Sequence, residues 1–277
     1  MDWKRFFDHL GMNGSRWQWR MMRWERNLRG MFRHAPGQGG ISVTAAVIVL
    51  SLLHFTITVA QGMMAGLGPG TLLNPDTYLL LHMGAQYWPL VLVEGEWWRC
   101  LTYAFAHGGL IHLGFNMFAL YQVGPLIESE VGRARFLFLY VFTALTATAA
   151  GFAWQAYAWR TFAPVVGASG SLFGLIGFAV VHYHRIGAAG VQIRNFMFQW
   201  AAFAFIFGLL VGADNAGHMG GALGGALLGA LFPLGWRRRP VLDTLFSLLA
   251  LAGGAAVLVS LALMVLSWYH GAGPVGG

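Results

Sequence analysis

Seven apolar runs, each of or near the length needed to cross a bilayer, are separated by short polar breaks and commit this chain to repeated membrane crossing. Spanning a hydrocarbon core of ~30 Å at ~1.5 Å per residue takes about 20 largely apolar residues. Such runs lie at about 41–61, 109–127, 136–159, 168–184, 196–211, 217–235 and 243–269. The 277 residues are 57% hydrophobic and only 10% charged, too little charged surface for a soluble globule of this size. Lipid offers the backbone no hydrogen-bond partners, so runs of this length are expected to be helices. The expected fold class is an all-α polytopic membrane protein with seven helices.

Lys and Arg stay on the cytoplasmic side during insertion and so report orientation. With a cytoplasmic N-terminus, the inside set is Lys4, Arg5, Arg16, Arg20, Arg23, Arg26, Arg29, Arg33, Arg133, Arg135, Arg185, Arg194, Arg237, Arg238 and Arg239, leaving only Arg99 and Arg160 of the 17 basic residues outside. Seven crossings then place the C-terminus outside. The net charge of +7 is thus a topology signal, and nucleic acid is not an expected partner. Residues 1–40 interleave arginines with Trp3, Phe6, Phe7, Trp17, Trp19 and Trp24, which suits either an anionic membrane surface or a purely topogenic flank. No cleavable signal is expected near residue 15, so the first helix directs insertion. The single cysteine, Cys100, allows no intramolecular disulfide.

Three regions follow: the basic, aromatic-rich segment 1–40, a six-helix core over 41–235, and a further helix with an external tail over 236–277. Within the core, 62–106 is the longest connection and is apolar for a loop. Gly66, Gly68, Pro69, Gly70, Pro75, Pro89 and Gly95 divide it into short pieces, as expected of a membrane-dipping element supported by protein. Two later runs carry small residues at helical spacing, Gly170, Gly174, Gly177 and Gly221, Gly225, Gly229, which lets membrane helices approach closely.

Those two glycine faces are headed by polar residues at membrane depth. Ser169 lies sixteen residues from Arg185 and His112 sixteen from Glu128, ~24 Å of helix in each case. His218 is nineteen residues from Arg237, ~28 Å by the same rise, and Asn116 lies one turn deeper than His112. All four therefore share a layer in the outer half of the membrane. Neutral imidazole can take the proton that makes a serine hydroxyl nucleophilic. Gly167 and Gly170 leave room beside Ser169, and a helix beginning there would offer free N–H groups, with His112 and Asn116, to a developing oxyanion. Singly, each has a structural alternative: a membrane serine bonds the carbonyl one turn back, and a histidine bridges helices. Asp214 or Asn215 is expected to cap the last core helix, Asp214 being also a possible third member of the site. Ser171 lacks the paired glycines, and His182 and His184 are expected at the cytoplasmic interface.

Together these residues resemble the rhomboid family of intramembrane serine proteases. Gly167-Ala168-Ser169-Gly170 resembles its GxSG motif, His107-x4-His112-x3-Asn116 its second-helix motif, and His218-x2-Gly221-x3-Gly225 its sixth-helix motif. Trp98-Arg99 precedes His107 by eight residues, and Gly124-x3-Glu128-x3-Gly132 with Arg135-Phe136 resembles the junction of the second and third helices. The resemblance covers about residues 94–229. It implies a six-helix bundle, here with one additional C-terminal helix, and a Ser169–His218 dyad without an acidic third member. It further implies an oxyanion site from His112, Asn116 and the N–H of Ser169, and a structural role for His107 and Arg99 in tying the first loop to the bundle. Phe173 stands where some members carry a tyrosine packed on the catalytic histidine, and Glu130 where some carry a base. The implied partners are transmembrane protein substrates entering from the bilayer into a water-filled cavity open to the outside. The expected location is the bacterial inner membrane, and no metal or organic cofactor is implied. The competing reading is a non-cutting rhomboid-like binder of membrane segments. Such relatives lack the serine or the histidine, whereas both stand here. A His-Glu-x-x-His zinc helix and paired intramembrane aspartates are absent from the sequence.

Overall fold

The computed structural model describes residues 42–211, 213–234 and 240–269. The basic segment 1–40, the Arg237–Arg239 cluster and the residues beyond Tyr269, expected to form an external tail, lie outside the described residues. Among the described residues the long elements are helices: α1 Val43–Met64, α2 Leu110–Val131, α3 Arg133–Ala153, α4 Ser169–Ile186, α5 Val191–Val211, α6 Asn215–Leu231 and α7 Pro240–Tyr269. Among the described residues five stretches are long and apolar enough to cross a membrane, one of them, Ser169–Ile206, holding α4 and most of α5. At 17 residues α6 is shorter. The chain is a multi-pass helical membrane protein.

The helices extend beyond several of the apolar runs, because charged and polar residues continue a helix out of the hydrocarbon layer. Thus α3 begins at Arg133 instead of 136, and α5 at Val191 instead of 196, after a 3-10 turn over Gly187–Gly190. In contrast, α6 stops at Leu231, where Phe232 turns extended ahead of Pro233. The expected run to 159 is met by a π-helical continuation of α3 over Trp154–Trp159.

At the end of the bundle that carries Arg133 and Arg185, side chains satisfy helix termini. Glu128 of α2 accepts from the Val43 and Thr44 amides at 2.8 and 2.9 Å, and from the Ser42 and Thr44 hydroxyls at 2.8 and 2.6 Å. This carboxylate neutralises the free donors at the N-terminus of α1. Gly124 gives the close approach, since a Cβ there would strike Thr44. Arg185 donates to the carbonyls of Gly229 and Phe232 at the C-terminus of α6. His184 is exposed, but His182 is buried, stacked on Phe178 at 5.0 Å with Nε2 3.4 Å from Glu130. Counting along the helix gave its depth but not that its face turns into the bundle.

The glycine faces of α4 and α6 meet. A Cβ at Gly221 would collide with the carbonyl oxygen of Gly170, one at Gly225 with that of Gly174, and one at Gly177 with that of Ala222. The opposite flank of α6 is equally tight, with Gly220 and Gly224 against Ala150 and Thr146 of α3. Backbone therefore lies against backbone along α6, the arrangement that small residues permit in membranes.

The long connection between α1 and α2 is a set of short pieces: a 3-10 turn over Pro69–Leu72 and helices Thr77–His82, Trp88–Leu92 and Arg99–Thr102. Arg99 is buried and binds Glu96 and the carbonyls of Leu81 and Ala85. These partners all belong to the loop, so Arg99 knits the loop to itself and does not tie it to the bundle. The ties come from His54 of α1 to the Met83 carbonyl (2.9 Å), Tyr103 to the Ala144 carbonyl of α3 (2.8 Å) and Trp268 of α7 to the His82 carbonyl (2.8 Å).

Gly225→Ala should lower stability by at least about 2 kcal/mol, since the new methyl has nowhere to go without separating α4 from α6. Gly114→Ala on α2, where a Cβ would meet open space, should be neutral or stabilising. Thermal unfolding of both purified variants in detergent checks the pair.

Candidate active site

The α4–α6 contact decides where two polar side chains fall. Ser169 opens α4 behind Ala168 and Gly167, and His218 lies in the first turn of α6. The backbone of Gly170, next to Ser169, touches Gly221, three residues past His218. The outcome is a Ser169 Oγ to His218 Nε2 distance of 2.8 Å. Phe173, one turn below Ser169, stacks on the His218 ring at 4.3 Å with 14° between planes.

The far side of the imidazole faces Asn215, whose Oδ1 is 3.3 Å from His218 Nδ1. Because an amide oxygen only accepts, this contact places the proton on Nδ1 and leaves Nε2 free to accept from Ser169. Sequence reasoning gave Asn215 only a capping role. The signal for its place beside His218 was the i, i+3 spacing on one helix face. Capping falls to Asp214, whose Oδ1 accepts from the Gly217 amide at 2.9 Å. Burial pushes the Asp214 carboxyl above its usual range, opposed by hydrogen bonds from the Gly217 and Ala216 amides. Ser171 donates to the Tyr140 carbonyl and points away from this group.

Across from the serine stand His112 and Asn116 of α2. A Cβ added at Gly167 would lie 2.8 Å from His112 Nε2 and 3.6 Å from Asn116 Nδ2, so both nitrogens face the segment that leads into Ser169. Gly167 holds φ at 121°, which L side chains rarely adopt, and its amide donates to the Tyr103 carbonyl at 2.9 Å. His112 Nδ1 accepts from the Gly108 amide at 3.3 Å, which leaves its proton on Nε2, directed toward Gly167. Asn116 spends one amide hydrogen on the His112 carbonyl at 3.1 Å. The first-turn N–H groups of α4 have no intrahelical acceptors. Several donors thus converge near Gly167 and Ser169.

His107 is fully buried, with Nδ1 3.0 Å from the Phe105 carbonyl and its ring edge-on to His112 at 5.3 Å. Burial drives its pKa down to about 3, aided by the neighbouring His112, so it packs as a neutral ring. Trp98 is buried, with the Arg99 guanidinium 4.5 Å from its ring centroid. The strand-like segment before Ser169 rests on the first loop through a two-way backbone pair, Gln86 to Val165, at 2.8 and 2.9 Å.

A cavity of about 960 Å³ reaches Ser169, His218 and His112 from one side, walled by the Trp154–Val166 connection and by Phe205 and Leu209 of α5. Its lining is mostly apolar.

A family model for the rhomboid domain matches residues 94–235, just over half of the chain. Rhomboid protease GluP of Bacillus subtilis (strain 168) is 34% identical over 152 residues, covering 53% of this chain and 28% of that protein. Rhomboid-like protease 1 of Toxoplasma gondii is 31% identical over 186 residues, covering 65% and 60%. Inactive RHOMBOID-like protein 8 of Arabidopsis thaliana is 28% identical over 158 residues, covering 56% and 44%. The chain spans less than two thirds of the length of each of these three relatives. The matched stretch runs from the first loop through α6 and contains Ser169, His218, Asn215, His112 and Asn116, and on that ground the chain belongs to the rhomboid family.

Proposed function

We propose that this protein is an intramembrane serine endopeptidase that cuts transmembrane proteins near the outer face of the membrane, with Ser169 as nucleophile and His218 as general base. The observation that carries this reading is the 2.8 Å contact of Ser169 Oγ with His218 Nε2, facing converging donors at Gly167. In the proposed reaction Oγ attacks the scissile carbonyl carbon while its proton passes to Nε2, and Asn215 accepts from Nδ1–H of the resulting imidazolium. The carbonyl oxygen becomes an oxyanion held by Nε2–H of His112, Nδ2–H of Asn116 and the Ser169 amide. Collapse returns the proton to the leaving amine, and water hydrolyses the acyl-enzyme by the same steps in reverse roles.

All seven helices cross the membrane in this proposal, α6 included, because it lies against α4 over its whole length. The basic residues then put the N-terminus in the cytoplasm and the C-terminus outside, in a bacterial inner membrane. A serine held against an imidazole is what hydrolysis requires and what binding alone does not, which is why cleavage is preferred over binding alone.

Purified protein in liposomes should cleave single-span reporter proteins, and Ser169→Ala or His218→Ala should reduce the rate at least about 10³-fold without loss of fold. Absence of both cleavage and fluorophosphonate labelling in the wild type would favour a non-cutting membrane-segment binder. Asn116→Ala should cost about 10²-fold in kcat, as loss of one oxyanion donor does.

Asn215→Ala should lower kcat about five- to tenfold, near the worth of one hydrogen bond, with KM little changed. Asn215→Asp keeps an acceptor for Nδ1–H and should recover most of that loss. Steady-state kinetics of the two variants on one reporter decide it; equal losses would show that Asn215 acts only through helix packing.

A further inference from the structure

Helix α7 lies outside the six-helix core and its described residues line neither the cavity nor the Ser169–His218 group. Half of its residues are exposed, and its buried side chains are Ala250, Ser260 and Met264. Two of its contacts nevertheless lead toward Ser169. Trp268 donates from Nε1 to the His82 carbonyl at 2.8 Å and stacks on the His82 ring at 5.5 Å. One turn earlier, Met264 is packed so closely on Gly84 that a Cβ there would sit 2.7 Å from Sδ.

The segment 82–86 beneath these residues is held on every side. Thr102 donates to the Gly84 carbonyl at 2.8 Å and Arg99 to that of Ala85 at 2.9 Å. Its last residue, Gln86, makes the two-way backbone pair with Val165, four residues before Ser169. The 165–169 segment therefore rests on 84–86, and 84–86 rests on α7. At the opposite end, α7 is anchored by Arg135 to Asp243 (2.8 Å) and by Phe246 against Phe138 and Phe232. A helix that served only to add a crossing would need neither outer contact.

We propose that α7 is a brace for the active-site strand: Trp268 and Met264 are positioning residues that hold 82–86, and through the Gln86–Val165 pair fix Gly167 and Ser169 relative to His112 and His218. The catalytic consequence rests on the protease reading above, whereas the brace itself does not. A small displacement of a reacting group is costly in rate, so loosening this support falls on kcat more than on KM.

Hydrogen–deuterium exchange and reporter cleavage, both on the full-length protein in liposomes, test it. Trp268→Phe keeps a stacked ring and loses the N–H donor, and Met264→Ala opens space at Gly84. Both should raise amide exchange at Gln86 and Val165 at least about tenfold and lower kcat about tenfold at little change in KM. Phe246→Ala, which loosens the other end of the same helix, should lower the melting temperature yet leave exchange at those amides and kcat unchanged. Unaltered exchange at Gln86 and Val165 in both outer variants overturns the brace, as does raised exchange with wild-type kcat. If the wild type itself neither cleaves nor labels, the protease reading fails and the exchange result alone decides the brace.

Discussion

Backbone contact between α4 and α6 is the constraint on which the rest of this structure depends. Where Gly221 lies on the Gly170 carbonyl and Gly225 on that of Gly174, the axes can approach closely enough for a serine on one helix to reach a histidine on the other. In lipid there is no hydrophobic force to drive two apolar helices together, so shape has to do it. Every glycine on this face is thus part of the geometry of the site, though none offers a chemical group.

A second constraint is that polar atoms in a membrane protein need partners. The carboxylates of Glu128 and Asp214 serve helix N-termini, Arg185 serves a C-terminus, and Arg99 gathers the loop carbonyls of Leu81 and Ala85. Each charge is used where backbone groups are left over by the helical pattern. The arrangement around Ser169 follows the same economy, since His112 and His218 each have one ring nitrogen engaged by a neighbour, Gly108 or Asn215, and the other turned inward.

Much of this was legible in the sequence because membrane helices are written in long runs and small-residue periods. The α4–α6 seam follows from Gly170, Gly174 and Gly177 facing Gly221, Gly225 and Gly229, and a shared depth for Ser169, His218, His112 and Asn116 follows from counting turns. What was not legible depends on rotation and long-range contact. His182 was expected at the interface with no face assigned to it, and it turns into the bundle, because depth says nothing of azimuth. Arg99 turned inward on its own loop, since carbonyls in irregular backbone cannot be located from residue types. The contacts of α7 were hidden for the same reason: the partner of Trp268 lies 186 residues away. Asn215 was within reach of a helical-face argument, but its neighbour Asp214 offered the same capping chemistry.

The Glu128 carboxylate has a mechanical side as well. Four hydrogen bonds from Ser42, Val43 and Thr44 converge on one side chain of α2, so the first turn of α1 and the last turns of α2 form a single rigid joint. Any load applied to the chain ahead of Ser42 is delivered to both helices together. Because α2 carries His112 and Asn116 at its other end, the helix that takes up the α1 donors at Glu128 is the same one that presents the groups facing Gly167.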